Sequence, residues 1–110
     1  MFRFLSCLLL TSIFMFVVVS NAAAEYRFKD GTKIEVQWYE KKGLILNEHV
    51  CFNYKTDKIK LQQCRHQAKN YFKEECEFYT DKIKKTQKKY RDMYTGEQEK
   101  FCKASETYKP

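Results

Sequence analysis

The sequence predicts a small α+β protein in which an N-terminal antiparallel β-meander precedes a long amphipathic helix and a short C-terminal segment, with disulfides holding the parts together. Three observations predict this class. Apolar and polar residues alternate after residue 25, apolar residues recur every three or four positions after residue 57, and four of the five cysteines lie beyond residue 50. Alternation is typical of strands and the three-four spacing of helices, so the sheet is expected before the helix.

The first 24 residues have the order of a secretory signal peptide. Arg3 supplies a positive start, a mainly apolar run covers residues 5–19, and three alanines precede Glu25. This run is shorter than the roughly 20 residues that a membrane-spanning helix needs, so we predict cleavage near Ala24 rather than retention as an anchor. The predicted mature chain, 25–110, is a single small domain that is periplasmic or secreted.

The first two predicted strands are joined by a three-residue loop, 29–31. This register pairs Tyr26 with Ile34 and Phe28 with Thr32, which keeps the apolar side chains on one face of the sheet. It also places a glycine where such a loop needs a left-handed residue.

The rest of the predicted meander extends to residue 54. Trp38 is expected at its core, residues 41–43 form a turn, and residues 44–46 form a short strand. The segment 49–54, which reads HVCFNY, is interpreted as a further strand.

A single apolar face predicts a helix that begins after its capping residue, Asp57. No glycine or proline interrupts the helical pattern before Gly96, so one helix of about 35 residues, about 50 Å long, is allowed. The pentapeptide TDKIK occurs at 56–60 and again at 80–84, and the second copy is predicted to lie inside the helix. The residues that form the apolar face are Leu61, Cys64, Ala68, Phe72, Cys76, Tyr79, Ile83, Thr86 and Tyr90.

A helix of this length exceeds what a meander of four short strands covers. We therefore expect a homodimer partner or another protein to cover the distal half of the apolar face.

The cysteines constrain the helix. Cys64 and Cys76 would lie about 18 Å apart on one unbroken helix, whereas the Cα atoms of a disulfide are usually less than about 7 Å apart. Cys51 precedes the helix and can fold back beside Cys64, which leaves Cys76 with Cys102. The predicted disulfides are therefore Cys51–Cys64 and Cys76–Cys102.

The second disulfide limits the length of the helix. If the helix ran to Thr95, the remaining residues would be too short to bring Cys102 back to Cys76. Either the helix stops by about Met93 and an extended tail follows, or it bends near residues 77–81. The sequence leaves both alternatives open.

The residues favour a protein without catalytic chemistry. His49 and Cys51, with Cys64 and His66, contain the ligand types of a zinc site, but their spacing and an oxidising compartment favour disulfides instead. An even cysteine count leaves no thiol to act as a nucleophile, and Ser105 is the single serine after residue 25. We predict no enzyme activity, no cofactor, no metal, no small-molecule substrate and no specific nucleic-acid binding.

The charge and the tyrosines suggest where a partner would bind. The formal net charge is +7, which favours solubility and also attraction to an anionic surface. Most aromatic side chains are expected in the core of so small a domain. Tyr39, Tyr90 and Tyr94 are the candidate interaction surface.

Spaced motifs between residues 51 and 102 carry a family resemblance. They are Cys51 in HVCF, Cys64, Tyr71-Phe72 seven residues later, a basic segment with Arg91, and Phe101-Cys102. This pattern resembles TrbM-type conjugal-transfer proteins, which are small exported accessories of conjugative type IV secretion. The stretch VQWY, with LQQCR further on, is similar to small entry-exclusion proteins of conjugative plasmids.

The resemblance implies an exported, non-enzymatic accessory of a conjugative secretion system that acts by protein–protein interaction with a component of the apparatus. The alternative function is a secreted basic binding module or inhibitor that recognises an anionic surface or a foreign enzyme.

Overall fold

The computed structural model describes residues 19–27 and 33–110. In these residues a three-stranded antiparallel sheet precedes two long helices, which confirms the α+β class and the order of sheet and helix. No helix of the described chain combines the length and the apolar character needed to cross a membrane. The elements are β1 (Ser20–Arg27), β2 (Lys33–Lys41), β3 (Leu44–Ile45), α1 (Lys58–Lys85) and α2 (Lys88–Thr107).

The pairing of β1 with β2 has the predicted register where it is described, because Tyr26 lies opposite Ile34. The predicted pair of Phe28 with Thr32 and the loop 29–31 lie outside the described residues. β1 starts at Ser20, so its first five residues belong to the segment that the sequence predicts to be cleaved. The small side chains of Ala22 and Ala24 pack there against the core.

Alternation along β2 fixes which face of the sheet is buried. Ile34, Val36 and Trp38 point toward the helices and are buried, with 5%, 0% and 3% of their surface exposed. The turn to β3 has positive φ at Lys42 (53°) and Gly43 (74°). These values suit the two-residue turn that matches the twist of a hairpin.

The prediction of a strand at 49–54 is wrong. Short 3₁₀ turns occupy Asn47–His49 and Phe52–Tyr54, and between them Cys51 adopts a left-handed φ of 67°. The Cys51 N–H donates to the Gln37 carbonyl at 2.7 Å, and its sulfur is bonded to Cys64. The chain is thus anchored to β2 by one residue and turned toward α1, which leaves no room for a strand ladder. The predicted strand at 44–46 is shorter than expected and ends at residue 45.

The start of α1 agrees with the sequence. Asp57 caps the helix, because its carboxylate accepts a hydrogen bond from the Lys60 N–H at 3.1 Å. Cys64, Ala68 and Phe72 from the predicted apolar face are buried. The second TDKIK copy lies inside α1, as its spacing predicts.

The chain reverses at Thr86 and Gln87, which are extended with ψ of 144° and 143°. The reversal lies beyond the predicted bend at 77–81 and before the predicted end of the helix at Met93. A 20-residue helix, α2, replaces the predicted short C-terminal segment. An unbroken helix would place Lys84 near Lys88 and Lys85 near Lys89, and like charges at this i,i+4 spacing destabilise a helix.

Both disulfides form between the cysteines that the sequence spacing predicts as partners. Cys51–Cys64 ties the start of α1 to the sheet, with a Cα separation of 6.0 Å. Cys76–Cys102 ties α1 to α2, with a Cα separation of 4.6 Å. Lys69 of α1 also donates to the carbonyls of Ser105 and Tyr108, so it caps the C-terminal end of α2.

The core lies between the sheet and the two helices. The Trp38 ring is at its centre, with ring centroids 5.8 Å from Tyr71, 5.5 Å from Phe72 and 6.2 Å from Phe101. Further out, Tyr79 stacks parallel to Phe101 at 6.0 Å. The distal apolar face, for which the sequence suggested cover by a second molecule, is therefore partly covered by α2 of the same chain.

Candidate functional site

The reversal between the helices carries a concentrated basic surface, residues 78–95, which we call the hairpin tip. It holds six basic side chains and two acidic ones, a surplus of four positive charges in a chain with a formal net charge of +7. Such a cluster raises the local concentration of anionic partners. The basic residues are Lys82, Lys84, Lys85, Lys88, Lys89 and Arg91.

Three of these six basic residues lie where a positive charge stabilises a helix, and the other three do not. Three lysines lie in the last turn of α1, where a positive charge is favourable beside the negative end of the helix dipole. Lys88, Lys89 and Arg91 lie at the start of α2, which has no acidic residue in its first turn and no side-chain cap. Positive charge is unfavourable at this end of a helix, so the second group costs stability unless an anion lies nearby.

Two backbone carbonyls of the reversal accept hydrogen bonds from side chains of the tip. The Arg91 Nε donates to the Thr86 carbonyl at 3.1 Å, and the Thr86 hydroxyl donates to the Lys82 carbonyl at 2.6 Å. These two carbonyls are therefore held without a lysine ammonium group.

Lys82 connects the two helices within the tip. Its Nζ lies 5.6 Å from the centroid of the Phe78 ring and 5.2 Å from that of Tyr94. These cation–π contacts, with Tyr79 6.2 Å from Tyr94, position aromatic rings beside the basic residues.

The tip also exposes apolar side chains. Phe78, Tyr90 and Met93 have 52%, 44% and 67% of their surface exposed, and they are three of the six large apolar residues that are exposed in the described chain. Lys89 lies over the Tyr90 ring at 5.5 Å. Aromatic and methionine side chains are enriched at protein interfaces, and the lysines around them favour a partner of negative charge.

The acidic residue Asp81 does not neutralise the tip. It pairs with Lys85 at 2.8 Å, and both side chains are largely exposed. The hydrogen bond to Lys85 lowers the pKa of Asp81, and the same bond raises the pKa of Lys85. Both groups stay charged at neutral pH, and an exposed pair of this kind contributes little to stability.

The structure separates the three tyrosines that the sequence selects. Tyr90 and Tyr94 lie in the tip, Tyr90 exposed and Tyr94 half-buried. Tyr39 lies on the outer face of the sheet, where it stacks on Phe52 with 4.3 Å between centroids and meets the edge of His49 at 5.6 Å. The predicted surface is therefore two separate surfaces.

Sequence reasoning missed Phe78, Lys82 and Met93. Phe78 and Met93 lie outside the three-four spacing of the apolar face. A large apolar residue off that face was the signal that could have identified them, since such a residue must be exposed unless another element covers it.

The described residues show how the cysteines and the potential metal-ligating side chains are arranged. All four cysteines of this part of the chain are in disulfides, so none offers a thiolate. No three histidine, cysteine or acidic side chains in the ranges 19–27 and 33–110 converge as a metal site requires.

A buried charge network holds α2 against the sheet. The Lys100 Nζ lies 3.1 Å from Glu40 and 2.9 Å from Glu97, and the Trp38 indole N–H donates to Glu40 at 3.0 Å. Burial alone lowers the pKa of Lys100, but the hydrogen bonds to Glu97 and Glu40 outweigh it and raise the pKa. Nearby, burial and then the Glu75 carboxylate raise the pKa of Tyr71 to about 12.

These features define a class of protein: a small, disulfide-bonded α+β domain that presents a basic helical hairpin. Comparison with family models, with curated proteins and with solved structures found no match.

Proposed function

We propose that the protein is an exported docking protein without enzymatic activity, and that it binds an acidic partner through the hairpin tip. The observation that carries the proposal is the coincidence of surplus positive charge with exposed Phe78, Tyr90 and Met93 on one surface. Neither feature contributes to the buried core, which lies at the other end of the helices.

The two features have complementary roles in binding. Exposed charge speeds association and selects partners of opposite sign. Aromatic and methionine side chains then supply apolar area that becomes buried at the centre of an interface. An acidic partner would also offset the unfavourable charge at the start of α2.

The resemblance over residues 51–102 supports a setting for this docking. In that setting the protein is an accessory of a conjugative type IV secretion system, and its partner is an acidic surface on another component of the apparatus. Two disulfides suit a periplasmic or extracellular location, and the leader at residues 1–24 is the proposed route of export.

A charge-reversal pair tests the tip. Lys84→Glu with Lys88→Glu is expected to lower plasmid transfer by the producing cell at least tenfold. The matched control, Lys58→Glu with Lys60→Glu, makes the same change of charge at exposed positions at the start of α1 and is expected to leave transfer within twofold. Equal transfer by both variants and the unaltered protein would remove the proposal of a conjugative docking protein.

A second candidate function is docking of the same tip on an anionic membrane surface. It is favoured by Tyr90 and Met93 beside Lys89, because lysines with aromatic and apolar neighbours suit the headgroup region of a bilayer. Sedimentation with vesicles discriminates between the two. Binding to phosphatidylglycerol vesicles that the tip variant loses would support this candidate, and absence of such binding would exclude it.

A further inference from the structure

A groove of about 310 Å³ lies between β3 and the C-terminal half of α2. Its apolar wall comprises Leu44, Ile45 and Leu46 from the sheet side and Ala104 from α2. Leu44 is 37% exposed. The groove is separate from the hairpin tip and is not used by the proposed function.

The strand that borders the groove has an unpaired edge. In an antiparallel pair, the N–H and C=O groups of successive residues point alternately toward the partner strand and away from it. The Leu46 N–H donates to the Tyr39 carbonyl at 2.8 Å, so the N–H and C=O groups of Ile45 point away from β2. This edge is open for pairing with another extended segment.

Asn47 adds a second polar group at the same place. Its side-chain Nδ2 donates to the Thr107 hydroxyl at 3.0 Å. Its Oδ1 is buried, and it has no hydrogen-bond partner among the described residues. An unpaired buried acceptor is unfavourable, so a ligand N–H that reaches this atom after a movement of the Asn47 side chain would be favoured.

The rim of the groove is positively charged. Lys41, Lys42 and Lys103 line it and are exposed. Lys100 also lines it, but its ammonium group is held by Glu40 and Glu97. The three exposed lysines therefore remain to pair with a carboxylate.

We propose that this groove binds an extended peptide segment of a partner protein by strand addition to β3. The segment would exchange backbone hydrogen bonds with Ile45, place an aliphatic side chain against Leu44 and Ala104, and direct a carboxylate at the lysine rim. Peptide backbone supplies both the donor and the acceptor that this edge requires, whereas the carboxylate of a fatty acid only accepts and would leave the Ile45 C=O without a donor. Edge-strand addition of this kind takes affinity from the backbone and specificity from alternate side chains.

The test uses the oxidised protein and a fluorescein-labelled hexapeptide that alternates valine and threonine and ends in glutamate and valine with a free carboxylate. We expect saturable binding by fluorescence anisotropy and slower hydrogen exchange at the Ile45 amide in the complex. Lys103→Glu is expected to weaken binding at least fivefold. Lys89→Glu, the same charge change in the tip, is expected to change binding by less than twofold.

A control peptide and a concentration limit complete the test. The same peptide with an amidated C-terminus and glutamine for glutamate is expected to bind at least fivefold more weakly. Absence of saturation at about 1 mM peptide, the weakest affinity considered specific here, would overturn the proposal. Equal loss in the Lys103→Glu and Lys89→Glu variants, or unchanged exchange at Ile45, would also overturn it, and neither result bears on docking at the tip.

Discussion

The two ends of the helical hairpin are stabilised in different ways. At the sheet end, Trp38, Phe72 and Phe101 are buried together, and the Cys51–Cys64 disulfide closes the start of α1 on the sheet. Between residues 73 and 99, all of which the structure describes, no side chain is buried. There the helices are joined by the Cys76–Cys102 disulfide and by half-buried rings.

This difference shows how a chain of 110 residues can combine a buried core at one end with an exposed basic surface at the other. Burial of apolar area fixes the sheet end, so substitutions there act on folding. The tip contributes little burial, so its residues are available for binding. The four predictions that follow test this contrast, from the largest expected effect to the smallest.

The largest effect is expected in the core. Trp38→Ala should lower the free energy of unfolding by about 4 kcal/mol, because it removes the ring at the centre of the cluster and leaves a cavity. Met93→Ala in the tip should change it by less than about 0.5 kcal/mol. Urea denaturation followed by circular dichroism measures both. Comparable losses in the two variants would contradict the contrast.

The second effect concerns the disulfides. Replacing both Cys76 and Cys102 with alanine should cost about 3.5 kcal/mol on loop-closure grounds. Replacing both Cys51 and Cys64 should cost about 2.9 kcal/mol. The sequence separations are 26 and 13 residues, respectively. Loss of the Cys76–Cys102 disulfide should also speed hydrogen exchange in residues 73–99, while the strands keep their protection. Uniform loss of protection would show that the two ends do not behave separately.

The third effect compares two ion pairs. Lys100→Met should cost about 2 kcal/mol, because it leaves the Glu40 carboxylate, 17% exposed, without its cation. Lys85→Met breaks the exposed pair with Asp81 and should cost less than about 0.5 kcal/mol.

These variants also differ in their response to pH. Because the pKa of Lys100 is raised in the folded state, its stabilisation is fully present below its unfolded pKa of about 10.4 and is lost as pH rises through the folded pKa. Urea unfolding of Lys100→Met at pH 7 and above about pH 11 checks this, and an unchanged difference from the unaltered protein at the two pH values would contradict it.

The smallest effect has the opposite sign. Tyr108→Phe should stabilise the protein by about 1 kcal/mol, because the Tyr108 hydroxyl is buried and has no hydrogen-bond partner among the described residues. Tyr54→Phe, the control, removes a hydroxyl that accepts from the Glu35 N–H at 3.4 Å and should not stabilise. Thermal unfolding measures both, and a loss of stability in Tyr108→Phe would contradict the assignment of an unpaired hydroxyl.

Tyr108 also affects how the free energy of unfolding falls at alkaline pH. Burial raises the pKa of Tyr108 to about 12, whereas an unfolded tyrosine ionises near pH 10. The unfolded state therefore releases this proton first, and stability falls as pH rises between these values. Tyr108→Phe should show a smaller fall over this range than the unaltered protein.

Local signals in the sequence were sufficient for much of the fold. The capping of α1 by Asp57, the buried face through Phe72 and the pairing of the cysteines all follow from spacing and from the reach of a disulfide. The reversal at Thr86 does not, because neither glycine nor proline marks it. Its position is decided by α2 packing back on α1 and by repulsion between lysines, which are contacts between distant or flanking residues.

Two other differences between the sequence-based prediction and the structure have related causes. Residues 49–54 resemble a strand in composition, but the covalent bond from Cys51 to Cys64 and its hydrogen bond to Gln37 impose a turn. In the candidate site, the sequence identified Tyr90 and Tyr94 but also Tyr39, because it could not show that the sheet face and the tip are separate surfaces. Phe78 and Met93 lie off the apolar face, so the three-four spacing does not identify them.

The most direct test of the tip as a docking surface is photo-crosslinking in the producing cell. A benzoylphenylalanine at Met93 is compared with one at Ile59, since both side chains are highly exposed, at 67% and 73%, and both have lysines close by in sequence. We predict a discrete crosslinked partner with an acidic surface from Met93, lost with Lys84→Glu and Lys88→Glu, and none from Ile59. The same crosslink from both positions, or one from Ile59 alone, would contradict docking through the hairpin tip.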